Sequence, residues 1–312
     1  MNHPAPVLIV GSMAFDDLDL PTGKERDVVG GSATYSSFAA SSFTNARVVA
    51  VVGDDFPHAT LEAMQERGVD VRGVERASGK TFRWAGRYDA DLVHRTTLRT
   101  ELNVFAEFAP KLPDAYRDSP VVLLGNIHPA LQLDVLDQVR APRFVAADTM
   151  NFWIEGERAA VDKMLRRIDT LVVNDEEARQ LSGLHNIRRA AVDILRRGPK
   201  RLVIKRGEHG ALLFDEAGVF AAPGFPLEEV LDPTGAGDSF AGGFIGYLAR
   251  QPEIDALALR RAMVHGTATA SFCVEAVGTR KVAAVTRPEI AARVAAIRAL
   301  YEFGAESMVT FG

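Results

Sequence analysis

The chain has 312 residues, with 36 lysines and arginines against 41 aspartates and glutamates, which gives a formal net charge of −5. Hydrophobic residues make up 47% and charged residues 25%, which is typical of a globular protein and excludes a mainly disordered chain. The small negative charge disfavours broad electrostatic binding to nucleic acid or to an anionic membrane.

Cysteine content and the N-terminal residues indicate the compartment. Cys273 is the single cysteine, so the chain has no intramolecular disulfide and no cysteine-rich zinc site. The first apolar run, Val7–Val10, follows no basic segment and is soon followed by Asp16 and Asp17, unlike a signal peptide. No stretch approaches the roughly 18–20 apolar residues of a membrane-spanning helix. We therefore expect a cytoplasmic protein that binds neither membrane nor nucleic acid.

Short apolar runs alternate with longer amphipathic stretches along most of the chain. This alternation predicts an α/β fold with a mainly parallel sheet and helices on both faces. The predicted strands are Val7–Val10, Val48–Val52, Val121–Leu124, Phe144–Ala147, Leu171–Val173 and Leu202–Ile204, and the predicted helices include Ala59–Arg67, Leu131–Val139, Ala159–Ile168 and Ala190–Arg197. From Ala236 to Leu300 the pattern is mostly helical, with one break near Gly278.

Two segments interrupt the alternation. Phe15–Val29 is short, polar and turn-rich, and Thr81–Val104 is rich in strand-forming residues that alternate with polar ones. We interpret them as a small second sheet built from insertions at roughly residues 13–30 and 80–106. Gly73–Thr81 resembles a P-loop but has too many residues between its glycines, so we interpret it as a turn that enters this second sheet. Because no linker or repeat divides the chain, residues 1–312 are expected to form one domain.

The most specific pattern is Asp232–Phe240, which reads Asp-Pro-Thr-Gly-Ala-Gly-Asp-Ser-Phe and precedes a stretch of small residues. Gly235 and Gly237 allow a tight backbone and close approach of a ligand. Free amides and the positive end of a helix dipole would make this turn a phosphate site. Asp238 would then either cap the helix or accept a proton from a hydroxyl held against the phosphate.

This segment resembles the C-terminal signature of the ribokinase family, also called PfkB carbohydrate kinases. Other segments resemble motifs of that family in the same order, so the resemblance covers nearly the whole chain. They are Val10-Gly11-Ser12 with Asp16, Gly30-Gly31, Val51–Asp55, Asn174–Glu177 and Lys205–Gly210. The resemblance implies a ribokinase-like three-layer α/β/α fold with a β-sheet lid, and transfer of the ATP γ-phosphate to a substrate hydroxyl. The two inserted β segments fall where that lid is expected.

The resemblance also implies roles for individual residues. Asp238 is the expected base, and the amides of Gly235, Ala236 and Gly237 are the expected anion hole. Asp16, Gly30 and Gly31 are expected on the substrate side, Asn174, Lys205, Gly207 and Gly210 on the nucleotide side, and Glu177 near ATP-bound Mg²⁺ through water. Asp232, Thr234 and Gly278 resemble the residues of a monovalent-cation site, so K⁺ is a further expected ion.

Several of these residues have an ordinary structural interpretation that the sequence leaves open. Asn174 and Glu177 fit a helix cap, and Lys205 fits the solvent-exposed end of a strand. Tyr35 stands near a position where family members often carry an asparagine, which leaves ribose itself in question. Tyr35 and Asn126, which follows a predicted strand, are added to the substrate-binding candidates. The aromatic residues of these motifs fit base stacking, a cover for a sugar, or the core of the lid.

The predicted function is therefore an ATP-dependent kinase that acts on a sugar or a sugar-like alcohol. A nucleoside kinase of the same family is the alternative enzyme. A catalytically silent protein that binds sugar or nucleotide is the alternative of another class. A lid with exposed strand edges also predicts a homodimer formed through the lid, because proteins usually cover such edges.

Overall fold

The computed structural model describes residues 4–302, in which strands and helices alternate along the chain. The strands are β1 (Val7–Val10), β2 (Ala14–Leu20), β3 (Gly23–Gly30), β4 (Ala46–Val52), β5 (Val69–Arg76), β6 (Phe82–Tyr88), β7 (Arg95–Glu101), β8 (Val121–Leu124), β9 (Phe144–Asp148), β10 (Thr170–Asn174), β11 (Arg201–Lys205), β12 (Ala211–Asp215) and β13 (Gly218–Ala222). The helices are α1 (Ser32–Ser41), α2 (His58–Glu66), α3 (Pro129–Gln138), α4 (Asn151–Gly156), α5 (Arg158–Leu165), α6 (Asp175–Ser182), α7 (Ile187–Leu195), α8 (Ala236–Ala249), α9 (Ala256–Cys273), α10 (Arg280–Ala284) and α11 (Arg287–Ala299).

The larger sheet has nine strands within residues 4–302, in the order β13-β12-β11-β10-β9-β8-β1-β4-β5. Neighbours from β11 to β5 pair in parallel, and β12 and β13 add an antiparallel edge. Alternate side chains of β1 enter two different apolar cores: Val7 and Ile9 enter one, and Leu8 and Val10 enter the other. Because both faces are buried, the strands are continuously apolar. The predicted three-layer α/β/α architecture is confirmed.

The second sheet is small and separate, with the order β3-β2-β6-β7. The outer pairs are antiparallel, and the central pair β2-β6 is parallel. Its strands come from the two inserted segments of the sequence. We call this sheet the lid.

The structure corrects two details of the predicted secondary structure. Gly73–Arg76 belongs to β5 of the larger sheet, so only the residues after Arg76 form the turn toward the lid. The C-terminal helical region is also broken at Arg250–Asp255, where Pro252 cannot continue a helix and the Asp255 carboxylate caps α9 through the Ala258 amide at 2.7 Å. No helix in the described part of the chain has the length and apolar character needed to cross a membrane.

Helices α1 and α8 pack closely through small residues. The Ser36 hydroxyl donates a hydrogen bond to the Asp238 backbone carbonyl at 3.0 Å. A Cβ on Gly242 would overlap the Ser36 carbonyl, so only glycine permits this approach. The packing brings the start of α8 beside the start of α1, near the carboxyl ends of the parallel strands, which is where open α/β sheets bind ligands.

Candidate active site

The turn before α8 has the geometry of an anion site. Gly235 has a left-handed backbone with φ of 75°, and a Cβ there would overlap the Tyr35 ring. Glycine is therefore required for both its conformation and its lack of a side chain. Within the described chain the Gly235 and Gly237 amides have no protein acceptor, whereas the Ala236 amide donates to the Pro233 carbonyl at 3.2 Å. Two amides at the N-terminus of α8 are thus available to an anion.

Asp238 lies in the first turn of α8, and its side chain is half-buried. The pKa of Asp238 is raised to about 7, mainly by burial and also by the Asp148 carboxylate, while the charges of Lys205 and Arg95 act in the opposite direction. A carboxylate whose pKa lies near neutral pH is suited to accept a proton from a hydroxyl.

Three neighbouring parallel strands end at polar residues: β9 at Asp148, β10 at Asn174 and β11 at Lys205. The Lys205 ammonium lies 3.0 Å from an Asp148 carboxylate oxygen, and the other oxygen accepts from the Thr149 amide at 2.7 Å. The ammonium is also 3.0 Å from the point where a Cβ on Gly237 would stand. Lys205 therefore borders the anion site and does not end in open solvent.

Asn174 and Glu177 form a reciprocal cap at the start of α6. The Glu177 carboxylate accepts from the Asn174 amide at 2.8 Å, and the Asn174 side-chain oxygen accepts from the Glu177 amide at 2.7 Å. Burial raises the pKa of Glu177 to about 7, and Asp148 adds to the increase while Lys205 opposes it. The structural interpretation of this pair is therefore correct, and one Glu177 oxygen is left outside the capping interaction.

On the lid side, Asp16 lies against Gly30, the first of the two glycines that precede α1. A Cβ on Gly30 would overlap the Asp16 carboxylate, and one on Gly31 would approach the Ser12 carbonyl to 2.5 Å. Burial raises the pKa of Asp16 to about 8, and the charges of Asp232 and Asp238 add to the increase. The structure thus brings Asp16, Gly30 and Gly31 together on the same side as Asp238.

Tyr35 and Asn126 have their polar groups in different surroundings. Tyr35 is 1% exposed under the Gly235 turn, and its hydroxyl has no hydrogen-bond partner among the described residues. The Asn126 side chain accepts from the Trp153 indole at 3.0 Å and donates toward the Met150 sulfur at 3.0 Å. The Tyr35 ring therefore packs against the Gly235 turn. The Asn126 amide forms its hydrogen bonds with residues that follow β9.

Asp232 joins two loops behind the anion site. Its buried carboxylate accepts from the Thr234 amide at 2.8 Å and from the Gly278 amide at 2.9 Å. The Thr234 hydroxyl lies 3.0 Å from the Tyr88 hydroxyl of the lid. Carboxylate and carbonyl oxygens are suitable ligands for a hard cation. Across residues 4–302, no group of three or more His, Cys, Asp or Glu side chains is arranged to hold a metal ion.

Gly207 and Gly210 lie at the turn between β11 and β12, close after Lys205. Both have positive φ, 54° and 78°. A Cβ on Gly210 would overlap the Ala222 carbonyl, so this turn packs tightly against the end of β13. The nucleotide-side residues of the sequence analysis therefore cluster at the ends of β10 and β11.

The sequence analysis missed two lid residues that face the site, Tyr88 and Arg95. Tyr88 contacts Thr234, and the Arg95 charge lowers the pKa of both Asp16 and Asp238. The inward face of a strand depends on its register, which the alternating polar residues of this segment do not specify. Trp84 and Arg95 are eleven positions apart in the sequence, so nothing local in the sequence indicated their contact.

Comparisons with known proteins extend over almost the whole chain. A family model described as pfkB family carbohydrate kinase matches residues 9–286. A cytidine kinase from Thermococcus kodakarensis is 30% identical over 266 residues, which cover 82% of this chain and 94% of that protein. The inosine complex of a Burkholderia thailandensis nucleoside kinase has a TM-score of 0.76 at 22% identity, covering 93% of this chain and 97% of that one. An E. coli protein described as a Ribokinase II, solved with ATP and Mg²⁺, has a TM-score of 0.77 at 20% identity, covering 94% and 99%.

Proposed function

Because this chain belongs to the pfkB family of carbohydrate kinases, we propose that its acceptor is a nucleoside, phosphorylated on a hydroxyl of the sugar. The family activity is transfer of the ATP γ-phosphate to a hydroxyl of a sugar or nucleoside. The observation that supports the narrower proposal is the 30% identity to a cytidine kinase over 82% of this chain and 94% of that protein. The lid supports it, because Trp84 lies beside Asp16 in the strand pairing and can contribute to a site for a planar base.

The site residues suggest how the transfer proceeds. Asp238 accepts the proton of the acceptor hydroxyl while that oxygen forms a bond to the γ-phosphorus and the bond to the ADP oxygen breaks. The free amides of Gly235 and Gly237 donate to the oxygens of the transferring phosphoryl, and Lys205 adds a positive charge beside them. Asp16 accepts hydrogen bonds from hydroxyls of the sugar ring and so orients the acceptor.

The nucleotide is proposed to bind over the ends of β10 and β11, against Asn174, Gly207 and Gly210. Mg²⁺ bound with ATP would neutralise phosphate charge, and the Glu177 oxygen outside the capping interaction would accept from its water shell. We further propose that K⁺ binds at the loop junction of Asp232, Thr234 and Gly278. The test is activity in K⁺ against activity in choline at equal ionic strength.

The lid is proposed to form a homodimer interface. Strand β7 is an edge of the lid, and Leu98 on that strand is 46% exposed. Val93, in the turn before β7, is 69% exposed. An uncovered edge with apolar side chains favours association with a second copy. Sedimentation at micromolar protein is expected to give a dimer, and a monomer would contradict it.

The function is tested by ATP consumption with Mg²⁺ against a panel of nucleosides, free pentoses, hexoses and sugar acids. We expect turnover with at least one nucleoside, and loss of that turnover in Asp238→Asn with retained binding of acceptor and ATP by calorimetry. Turnover with free sugars or sugar acids and with no nucleoside would overturn the proposed acceptor. Equal turnover of Asp238→Asn and wild type would overturn the role of Asp238.

A further inference from the structure

The lid presents one face toward the acceptor side of the site. The β2-β6 pairing sets Trp84 beside Asp16, and the β6-β7 pairing sets Arg95 beside Tyr88. Residues two apart on a strand share a face, and paired residues of neighbouring strands do as well. Trp84, Tyr88 and Arg95 therefore lie on the inner face with Asp16.

The position of the Trp84 indole is fixed by its surroundings. A Cβ on Gly86 would overlap the six-membered ring of Trp84, so the indole packs against the backbone of Gly86. The indole nitrogen donates to the Thr97 hydroxyl at 3.3 Å. Trp84 also packs at the edge of the small apolar cluster that contains Tyr88. The ring is thus a preformed platform on the inner face.

Arg95 occupies this platform. Its guanidinium carbon lies over the Trp84 ring, 5.2 Å from the centre. Among the described residues Arg95 forms no ion pair, whereas Arg87 and Arg99 on the same two strands pair with Asp19 and Asp17. The Arg95 charge lowers the pKa of Asp16, Asp238 and Glu177, so the guanidinium faces the site from the lid. Stacking on an aromatic ring holds a guanidinium while its N–H groups remain free to donate.

We propose that Arg95, held on the Trp84 ring, recognises the base of the nucleoside through two parallel hydrogen bonds. This inference rests on the proposed nucleoside kinase function. A guanidinium matches a base that presents a carbonyl oxygen and an unprotonated ring nitrogen side by side. Cytosine, guanine and hypoxanthine have such a pair. In uracil the ring nitrogen beside each carbonyl carries a hydrogen or the sugar, and adenine has no carbonyl oxygen.

The proposal is tested by kcat and KM for cytidine, inosine, uridine and adenosine in wild type and Arg95→Met. We expect wild type to prefer cytidine to uridine and inosine to adenosine by roughly 5- to 150-fold in kcat/KM, the range for one bidentate contact. Arg95→Met is expected to remove these preferences by raising the KM of the preferred nucleosides with kcat retained. Arg99→Met, which removes a paired lid arginine, is the matched control and keeps the preferences.

The other outcomes are distinguishable. An equal loss of kcat for all nucleosides in Arg95→Met would show that Arg95 acts on the transferring phosphoryl, and unchanged preferences would show that it does not contact the base. Either result overturns the inference and leaves the nucleoside kinase function standing. No turnover with any nucleoside in wild type overturns the proposed function itself.

Gly86→Ala tests the positioning role of Trp84 without changing a polar group. The added methyl displaces the indole, so the preference for cytidine over uridine is expected to fall, as in Arg95→Met. A merely structural role would lower activity on both nucleosides by the same factor, and that result would overturn the role of the platform. Cytidine is also expected to change the tryptophan emission of wild type and to have little effect in Trp84→Leu.

Discussion

The Lys205 ammonium nitrogen lies 3.0 Å from a carboxylate oxygen of Asp148. Each residue ends a strand of the parallel sheet, and β10 lies between the two strands. Burial lowers the pKa of Lys205, but the carboxylates of Asp148, Glu177 and Asp238 outweigh this effect and hold it above its usual value. Lys205 is therefore a permanent positive charge beside Gly237, oriented by Asp148.

Lys205→Met is expected to lower kcat on the order of 10²–10³-fold, comparable to the loss of one donor from an oxyanion site. The acceptor KM should change little, because Lys205 borders the anion turn and not Asp16. Steady-state kinetics at saturating ATP measures both. Lys200→Met is the matched control, since Lys200 also pairs with an aspartate, Asp169 at 3.1 Å, but is exposed at the surface. A Lys205→Met enzyme with wild-type kcat would refute the assignment.

The pH dependence of kcat reports on Asp238. Its pKa of about 7 means that activity should rise with pH toward neutrality and level off above it, because only the ionised carboxylate accepts a proton. Lys205→Met removes a cation that lowers this pKa, so the rise should move to higher pH. Asp148→Asn removes an anion that raises it, so the rise should move to lower pH. Shifts in the same direction for the two variants would contradict this electrostatic account.

Asp16→Asn should stabilise the unliganded protein in a pH-dependent manner. The pKa of Asp16 is about 8 in the folded chain and near 3.8 in the unfolded chain, so folding favours the protonated carboxyl. The contribution of Asp16 to the free energy of unfolding is therefore fully favourable below pH 3.8 and is lost as the pH rises toward 8. Urea unfolding at pH 8 should therefore show a gain on the order of a few kcal/mol, with a smaller difference at pH 5. Asp17→Asn is the control, because Asp17 pairs with Arg99 on the lid. A gain that does not change between pH 5 and 8 would argue against burial of the charge.

Tyr35→Phe removes a buried hydroxyl that has no partner among the described residues. Because an unsatisfied buried polar group costs about 1–3 kcal/mol, the free energy of unfolding should rise by an amount of that order. The ring that supports Gly235 is retained, so we expect an unchanged acceptor KM. A raised KM would show instead that the hydroxyl contacts the substrate, in agreement with the substrate-binding role predicted for Tyr35.

Gly235→Ala should destabilise the protein more than Gly183→Ala. Both glycines have left-handed backbones, with φ of 75° and 73°. A Cβ on Gly183 meets open space, whereas a Cβ on Gly235 overlaps Tyr35. The Gly183 variant should therefore lose only the conformational cost, about 1 kcal/mol, and the Gly235 variant should lose more and also lose turnover. Equal destabilisation in thermal unfolding would show that the turn relaxes around the methyl group.

The sequence predicts the parallel sheet well because its strands are buried on both faces and appear as continuous apolar runs, as Val121–Leu124 does. Strand β5 was missed because it reads Val-Asp-Val-Arg-Gly-Val-Glu-Arg and is only partly buried. The turn at Asp232–Phe240 is local in sequence, so the glycine turn and the helix that follows it could be predicted directly, and its role stays a prediction. The assignment of the whole chain to one domain stays a prediction.

The contacts that the sequence did not reveal are long-range. Asp148 and Lys205 are 57 positions apart, and only the strand order brings them together. Arg95 and Trp84 meet because of the lid register, which includes an irregularity between Ala85 and Gly86. Such a shift changes which side chains face inward, and the polar alternation of the segment does not locate it.

The hydrogen bond between Tyr88 and Thr234 joins the lid to the loop that leads into α8. A swing of the lid that separates these two hydroxyls must break this bond. Movement of the lid is therefore linked to the loop that precedes the Gly235 turn. The same loop is also held by the bond from the Thr234 amide to Asp232, and Gly235 packs on the Tyr35 ring. Opening of the lid would therefore remove one contact from this loop while the others remain.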